Sequence, residues 1–452
     1  MRGSEHKNAH EIIPKKLALA LGVLLLSIFY FNISSLQTNT YKKQSTKPQT
    51  TKQSSYITGW GQNSFGQMGA EDNELHKDTD GAYYLYINDI VQLAAGLNHT
   101  VALKKDGTVW AWGSNAYGQL GDGSTIWSRK YPVQVNGLSN VVKVAASRFH
   151  SLALKKDGTV WAWGSNMNNQ LGRAGEQSVA PLQVVGLSDI VQIAAGYRFS
   201  LALKKDGTVW AWGGMCKQAD TPKFKDFVTS LSSGIALEGT YFDPGDNRLS
   251  DQDELIDCLG ENFVNINSIK PIKIKGVSDI TSISGGYGHM LALDRKGTVW
   301  AWGCNKYGQV GNGVLSNSTR NMTPEKVQGL PPVVKIAAGY RHSLVISNNG
   351  TVWAWGHNLW GELGTGSLKD SAVPKEVHGI DNVTDISGGH DFSLALTKDG
   401  SIWGWGENGT GVLGMHSEAV QQTPVKMKKV GQQGKIVAGG GHALMVPDNM
   451  VQ

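Results

Sequence analysis

From residue 56 to its end, the chain alternates short apolar runs with clusters of Gly, Asp, Asn and Ser. Runs such as IVQIAA (190–195), SLAL (200–203) and TVWAW (208–212) have the length of strands and are bounded by turn residues. In TVWAW the two Trp stand at i and i+2, so both face one side of a sheet and Val and Ala the other. Asp-Gly pairs between the SLAL and TVWAW types of run (Asp106-Gly107, Asp157-Gly158, Asp206-Gly207, Asp399-Gly400) predict hairpins. One stretch breaks the pattern. Residues 17–33, LALALGVLLLSIFYFNI, are apolar throughout, follow Lys15 and Lys16, and lead into a Ser/Thr/Gln/Lys stretch at 34–55.

The alternation is a repeat. KKDGTVWAWG occurs unchanged at 104–113, 155–164 and 204–213, and looser copies end at Gly303, Gly356 and Gly406. YITGWG at 56–61 is a partial copy. Successive WG glycines lie 52, 51, 49, 90, 53 and 50 residues apart. A second signature comes before the strand that pairs with each WG copy: AAGLNH (94–99), AASRFH (145–150), AAGYRF (194–199), SGGYGH (284–289), AAGYRH (337–342), SGGHDF (387–392) and VAGGGH (437–442). A period near 50 marks a stacked or circular array, and several short strands per repeat mark a propeller. The chain ends on VAGGGHALMV with no W-x-W-G strand after it. YITGWG supplies the missing strand, so the N-terminal strand is predicted to pair into the last blade and close the ring.

A third element, W-G-x-N-x-x-G-x-L-G, recurs as QNSFGQMG, SNAYGQLG, SNMNNQLG, CNKYGQVG, HNLWGELG and ENGTGVLG, and only SNMNNQLG lacks the middle Gly. Together these motifs resemble the regulator of chromosome condensation repeat family, over residues 56–452 except one interval. The resemblance implies an all-β, seven-bladed β-propeller. No W-D dipeptide recurs per blade, which argues against the WD-type propeller. The interval Gly213–Gly303 holds about 40 residues beyond one period. It reads as an insertion at about 214–270, or, through DFVTSLSSGIALEGTYFD (226–243), as a degenerate eighth blade.

Charge refines the picture. The 452 residues carry a net +5, but residues 1–55 hold eight basic against two acidic groups. The body is therefore close to neutral and lacks the basic footprint that nucleic acid demands. A basic start followed by an apolar run is a secretion signal. Residues 1–16 are read as a cytoplasmic N-terminus and 17–33 as a signal-anchor transmembrane helix, with the propeller outside. The other reading is a cleaved signal and a secreted domain. Residues 34–55 make a flexible tether of about 25 Å r.m.s. reach. Three cysteines exclude a disulfide-dense scaffold. Cys216 and Cys258, both in the insertion, are candidates for a disulfide in an exported domain.

Candidate chemistry is sparse. His99, His150, His289, His342 and His442 share one repeat position that Phe199 and Phe392 fill elsewhere. A role that Phe takes over is packing, not proton transfer or metal ligation. The acidic run 243–257 lacks the Gly and Glu of a calcium loop, and no nucleophile elbow, P-loop or H-E-x-x-H occurs. The reading is a non-enzyme with no cofactor, no metal, no small-molecule substrate and no nucleic-acid partner.

What varies between copies is the pair of residues after each AAG and one position in the W-G-x-N-x-x-G loop. These are expected to form rings at one end of the propeller. Tyr197, Arg198, Tyr340 and Arg341 lead the candidates for binding a protein partner, with Arg148, Phe149, Tyr287, His390, Tyr117, Tyr307 and Trp360 beside them. The competing reading is that these side chains pack the seams between blades. The expected function is an extracytoplasmic protein-binding scaffold. The resemblance also implies an alternative, guanine nucleotide exchange on a small GTPase, as in the founding member. The family's ultraviolet-receptor branch carries G-W-R-H-T. Here GYRFS (196–200) and GYRHS (339–343) have Tyr in place of that Trp, which argues against light absorption.

Overall fold

A computed structural model describes residues 56–70, 78, 81–214, 267–315, 320–414, 418–429 and 434–448. The expected anchor at 17–33, the tether at 34–55, Cys216, Cys258 and the runs 226–243 and 243–257 lie outside the described residues.

Seven four-stranded antiparallel sheets make up the described residues. Blade 1 starts with an inner strand, Ile90–Ala95, followed by His99–Lys104, Val109–Ser114 and an outer strand, Ser128–Gln134. Blades 2 to 6 repeat this order from inner strands Val141–Ala146, Ile190–Ala195, Ile280–Gly285, Val333–Ala338 and Val383–Gly388. Blade 7 takes Gly434–Ala438 and His442–Pro447 from the C-terminal end of the chain and Ile57–Gly61 and Tyr83–Leu85 from its N-terminal part. Gly59 stands opposite Leu444 and Trp60 opposite Ala443. The repeat spacing led to one N-terminal strand in this blade, and there are two. The second, Tyr83–Leu85, has no motif of its own and is held by the pairing of Thr58 with Tyr84 and the burial of Tyr83 and Leu85. In blade 3, Val209–Gly214 pairs directly with Asn267–Lys273, so residues 215–266 connect neighbouring strands.

The two-residue period of TVWAW explains how blades stack. Trp110 and Trp112 pack into the core between blades 7 and 1, while Val109 and Ala111, facing the other way, pack between blades 1 and 2. Each seam has one such cluster, seven in all, so every blade is a wall shared by two cores. Trp112, Trp163, Trp212, Trp302, Trp355 and Trp405 are wholly buried there. A fully buried aromatic of this size contributes roughly 3 kcal/mol.

The hairpins are one residue longer than a tight Asp-Gly turn. Gly107 has φ of 80° while Asp106 is not left-handed. Gly107 N–H donates to Lys104 O at 2.9 Å, and Lys104 N–H to Thr108 O at 2.9 Å. This is a type I turn closed by a left-handed glycine. Asp106 Oδ1 accepts from Thr108 N–H and Oγ1–H at 2.9 and 2.6 Å, which fixes the turn.

Candidate partner-binding face

The buried end of each blade sets the loops above it. Ser151 Oγ–H donates to Gln119 O at 2.9 Å, and so does Trp163 Nε1–H, also at 2.9 Å. With its proton spent, Ser151 Oγ accepts from His99 Nε2–H of the neighbouring blade at 3.0 Å. The same linkage joins His150 to Ser200, His289 to Ser343, His342 to Ser393 and His442 to Thr100, at 2.9 to 3.3 Å. Where Phe replaces His the hydroxyl also goes: Phe199 shares its core with Met290, and Phe392 with Ala443. The five imidazoles are fully buried. Burial pushes His99, His150 and His342 down to about 3, and His289 and His442 down to about 4. They are neutral seam bolts, as the exchange with Phe predicts. The fit is close at the signature glycine of blade 1: a Cβ on Gly96 would sit 2.2 Å from the His99 ring.

The residues that follow the signature form a collar. Tyr197 N–H donates to Gly286 O, Tyr287 N–H to Tyr340 O, Tyr340 N–H to Gly389 O and His390 N–H to Gly439 O, all between 2.8 and 3.2 Å. The collar tops an axial cavity of about 310 Å³ lined by the inner strands, with Arg148, Tyr197, Tyr287, Tyr340 and His390 at its wall.

Arginines and rings interleave along this collar. The Arg148 guanidinium lies 4.7 Å from the Phe149 ring and 4.6 Å from Tyr197. Arg198 lies 5.1 Å from Tyr197. Arg341 stands 5.0, 5.1 and 5.8 Å from Tyr307, Tyr340 and Tyr287. The two loop sets, expected as separate rings, meet: Tyr117 touches Phe149 at 4.6 Å between centroids, and Arg341 lies over Tyr307. Burial raises the Tyr117 hydroxyl pKa against the lowering pull of Arg148.

Both readings of the variable residues find a place. Tyr340 is only 9% exposed, stacked on His390 at 3.7 Å and leaning on Tyr287 at 4.5 Å. It supports the collar rather than offering surface. Tyr197, Arg198, Tyr287, Arg341, Arg148, Phe149, Tyr117, Tyr307 and His390 are half-buried, and Trp360 is exposed.

An apolar rim escaped the sequence reading. Ile126, Trp127, Met167, Val314, Leu315 and Leu359 are all exposed, several by more than half. They stand in the loops of the same end: Asn115 Nδ2–H donates to Ile126 O, and Asn305 Nδ2–H to Val314 O. The signal available was position, since Met167 and Leu359 directly follow the Asn of W-G-x-N.

Blade 5 departs from its siblings. Four other loops carry Gln67, Gln119, Gln170 or Gln309, whose Oε1 accepts a backbone N–H two residues earlier at 2.8 to 3.0 Å, and blade 6 has Val412 there. Glu362 keeps this bond through Oε2, accepting from Trp360 N–H at 2.9 Å, and its Oε1 meets His357 Nδ1. Burial lowers the His357 pKa, but the bond to Glu362 and the charges of Glu362, Asp370 and Asp391 outweigh it, and the net shift is upward.

The comparisons with known proteins accord with this architecture. The regulator of chromosome condensation (RCC1) repeat profile matches residues 106–154, 157–203, 296–346, 349–396 and 399–446. Among curated relatives, the chain is 26% identical over 344 residues to the ultraviolet-B receptor UVR8 of Arabidopsis thaliana, covering 70% of this chain and 76% of the receptor. It is 28% identical over 329 residues to the regulator of chromosome condensation of Mus musculus, covering 71% and 72%. Among solved structures, Prp20p from Saccharomyces cerevisiae superposes with a TM-score of 0.67 at 22% identity, over 88% of this chain and 94% of that one. Human WBSCR16 gives 0.68 at 22% identity, over 87% and 98%. Since the matched repeats span more than half of its residues and fall on the blades just described, the chain belongs to the regulator of chromosome condensation repeat family.

Proposed function

We propose that this propeller is a non-catalytic protein-binding scaffold acting outside the cytoplasmic membrane, and that it grips its partner with the collar end. One observation carries the reading: a core of interleaved arginines and aromatic rings bordered by exposed apolar side chains, all at one end. Arg, Tyr and Trp dominate interface hot spots, and exposed apolar groups gathered on one face are what a partner covers. The family relative Prp20p is described by its binding to Gsp1p and histones, both proteins.

The test begins with residues 56–452 as bait on an extracellular fraction. Once a partner is captured, Arg198→Ala, Arg341→Ala and Trp360→Ala should each weaken binding about tenfold or more while melting stays unchanged. Unchanged affinity in the triple variant moves the site off this face. For location, protease added to intact cells should release the propeller if residues 17–33 anchor it, and full protection until lysis refutes an outside position. Guanine nucleotide exchange, which rests on likeness to the founding member, predicts faster nucleotide release from a small GTPase when the propeller is added.

A further inference from the structure

We propose that His357, Glu362 and Asp391 form a binding site for a divalent transition-metal ion, with zinc the best match, at the seam of blades 5 and 6. One donor atom from each lies within 4.8 Å of those of the other two. The three residues are 5%, 0% and 4% exposed, so the donors stand in a medium of low dielectric where a cation is held strongly.

The chain's own repeats show that structure alone does not require these groups. At the Glu362 position four sister loops use Gln and keep the same backbone bond. At the His357 position Ser114 and Ser165 serve, and Gln119 Nε2–H donates to Ser114 Oγ at 3.3 Å. At the Asp391 position the sisters carry Asn98, Phe149, Arg198, Gly288, Arg341 and Gly441. No other seam gathers an imidazole and two carboxylates at these three positions, and burying charge is costly. The changed positions are 34 residues apart at most in sequence yet converge across one seam.

The surroundings also suit ligation. Each carboxylate has one oxygen oriented by a second group: Glu362 Oε2 by Trp360 N–H at 2.9 Å, and Asp391 Oδ2 by His390 Nδ1 at 2.7 Å. Such outer partners aim the other oxygen and tune its basicity. The His357 main chain is held by its N–H donating to Arg341 O at 3.1 Å. One imidazole with two carboxylates is a zinc donor set. It suits calcium poorly, because calcium takes oxygen ligands only. The ion takes the place of the proton that His357 and Glu362 share, and three protein donors leave a fourth tetrahedral position for water.

The repeats supply variants built from residues the fold already uses at these positions. His357→Ser, Glu362→Gln and Asp391→Asn each install a residue that a sister blade carries at that position. Full-length protein stripped by chelator is titrated with zinc against a chromophoric competitor, and its melting is followed with and without the ion. One equivalent should bind and raise the melting temperature. Each single variant should lose at least about tenfold in affinity. The triple variant should bind no zinc at this site and should melt, metal-free, like its metal-free parent. No saturable uptake by the parent overturns the proposal. Equal uptake by parent and triple variant, which places any ion elsewhere, overturns it as well.

Discussion

At the scale of single residues, the repeat is a hydrogen-bond circuit with two interchangeable settings. His150 needs Ser200, because a buried Nε2–H without an acceptor keeps its full desolvation cost. Phe392 sits instead with Ala443, which has nothing to accept. Ser200→Ala alone should therefore cost about 1–3 kcal/mol. Adding His150→Phe recreates the Phe–Ala setting and should recover much of that loss. Denaturant unfolding of the four-member cycle measures the coupling, and additive losses would refute a direct His–Ser bond. The identity of this position was legible in sequence, since Phe stands in for His twice. That the partner hydroxyl disappears with the His was equally written there. It lies one residue past the next blade's signature, and only the seam shows that the two touch.

At the scale of the element, blade 7 is where the two parts of the chain depend on each other. Ile57 and Trp60 are 0% and 2% exposed and belong to the two cores that flank this blade. Deleting residues 56–61 removes both and leaves His442–Pro447 and Tyr83–Leu85 without the strand between them. The loss should reach at least about 5 kcal/mol from the side chains alone, before counting exposed strand edges. Deleting 34–55, read from composition as tether, should leave the melting temperature unchanged. Equal melting of both deletions would show that this strand does not lock the ring. The strands carrying W-x-W-G and the signature were readable because Trp alternation and turn glycines recur. Tyr83–Leu85 was not, because a short outer strand needs only three residues and no motif. The apolar rim was missed for a related reason: loop residues such as Trp127 and Leu315 follow no period, so only the fold shows that they gather at one end.

At the scale of the whole molecule, the seam bolts tie stability to pH. His99, His150, His289 and His442 lie away from the His357 group, and each is wholly buried and neutral. His99 faces only the neutral imidazoles of His442 and His150 among titratable groups, and burial accounts for the shift at His150. Their folded pKa values, about 3 to 4, lie below the 6.5 of an exposed imidazole. Between those limits the unfolded chain binds protons that the folded ring cannot, so stability falls as pH drops below about 6.5. At pH 5 each imidazole costs about 2 kcal/mol, and four cost about 8 kcal/mol. For a ring of this size that is a fall of about 10 °C in melting temperature between pH 7 and pH 5. Carboxylates with ordinary pKa values change little in this window, so the slope reports the bolts. His342 is lowered in the same way and adds to the measured slope, so replacing one bolt by its own alternative, His150→Phe with Ser200→Ala, should reduce the slope by about a fifth. Melting curves from pH 7.5 to pH 5 settle the matter. A flat profile would mean that the imidazoles are already charged in the folded ring, and an unaltered slope in the double variant would mean that the protons go elsewhere.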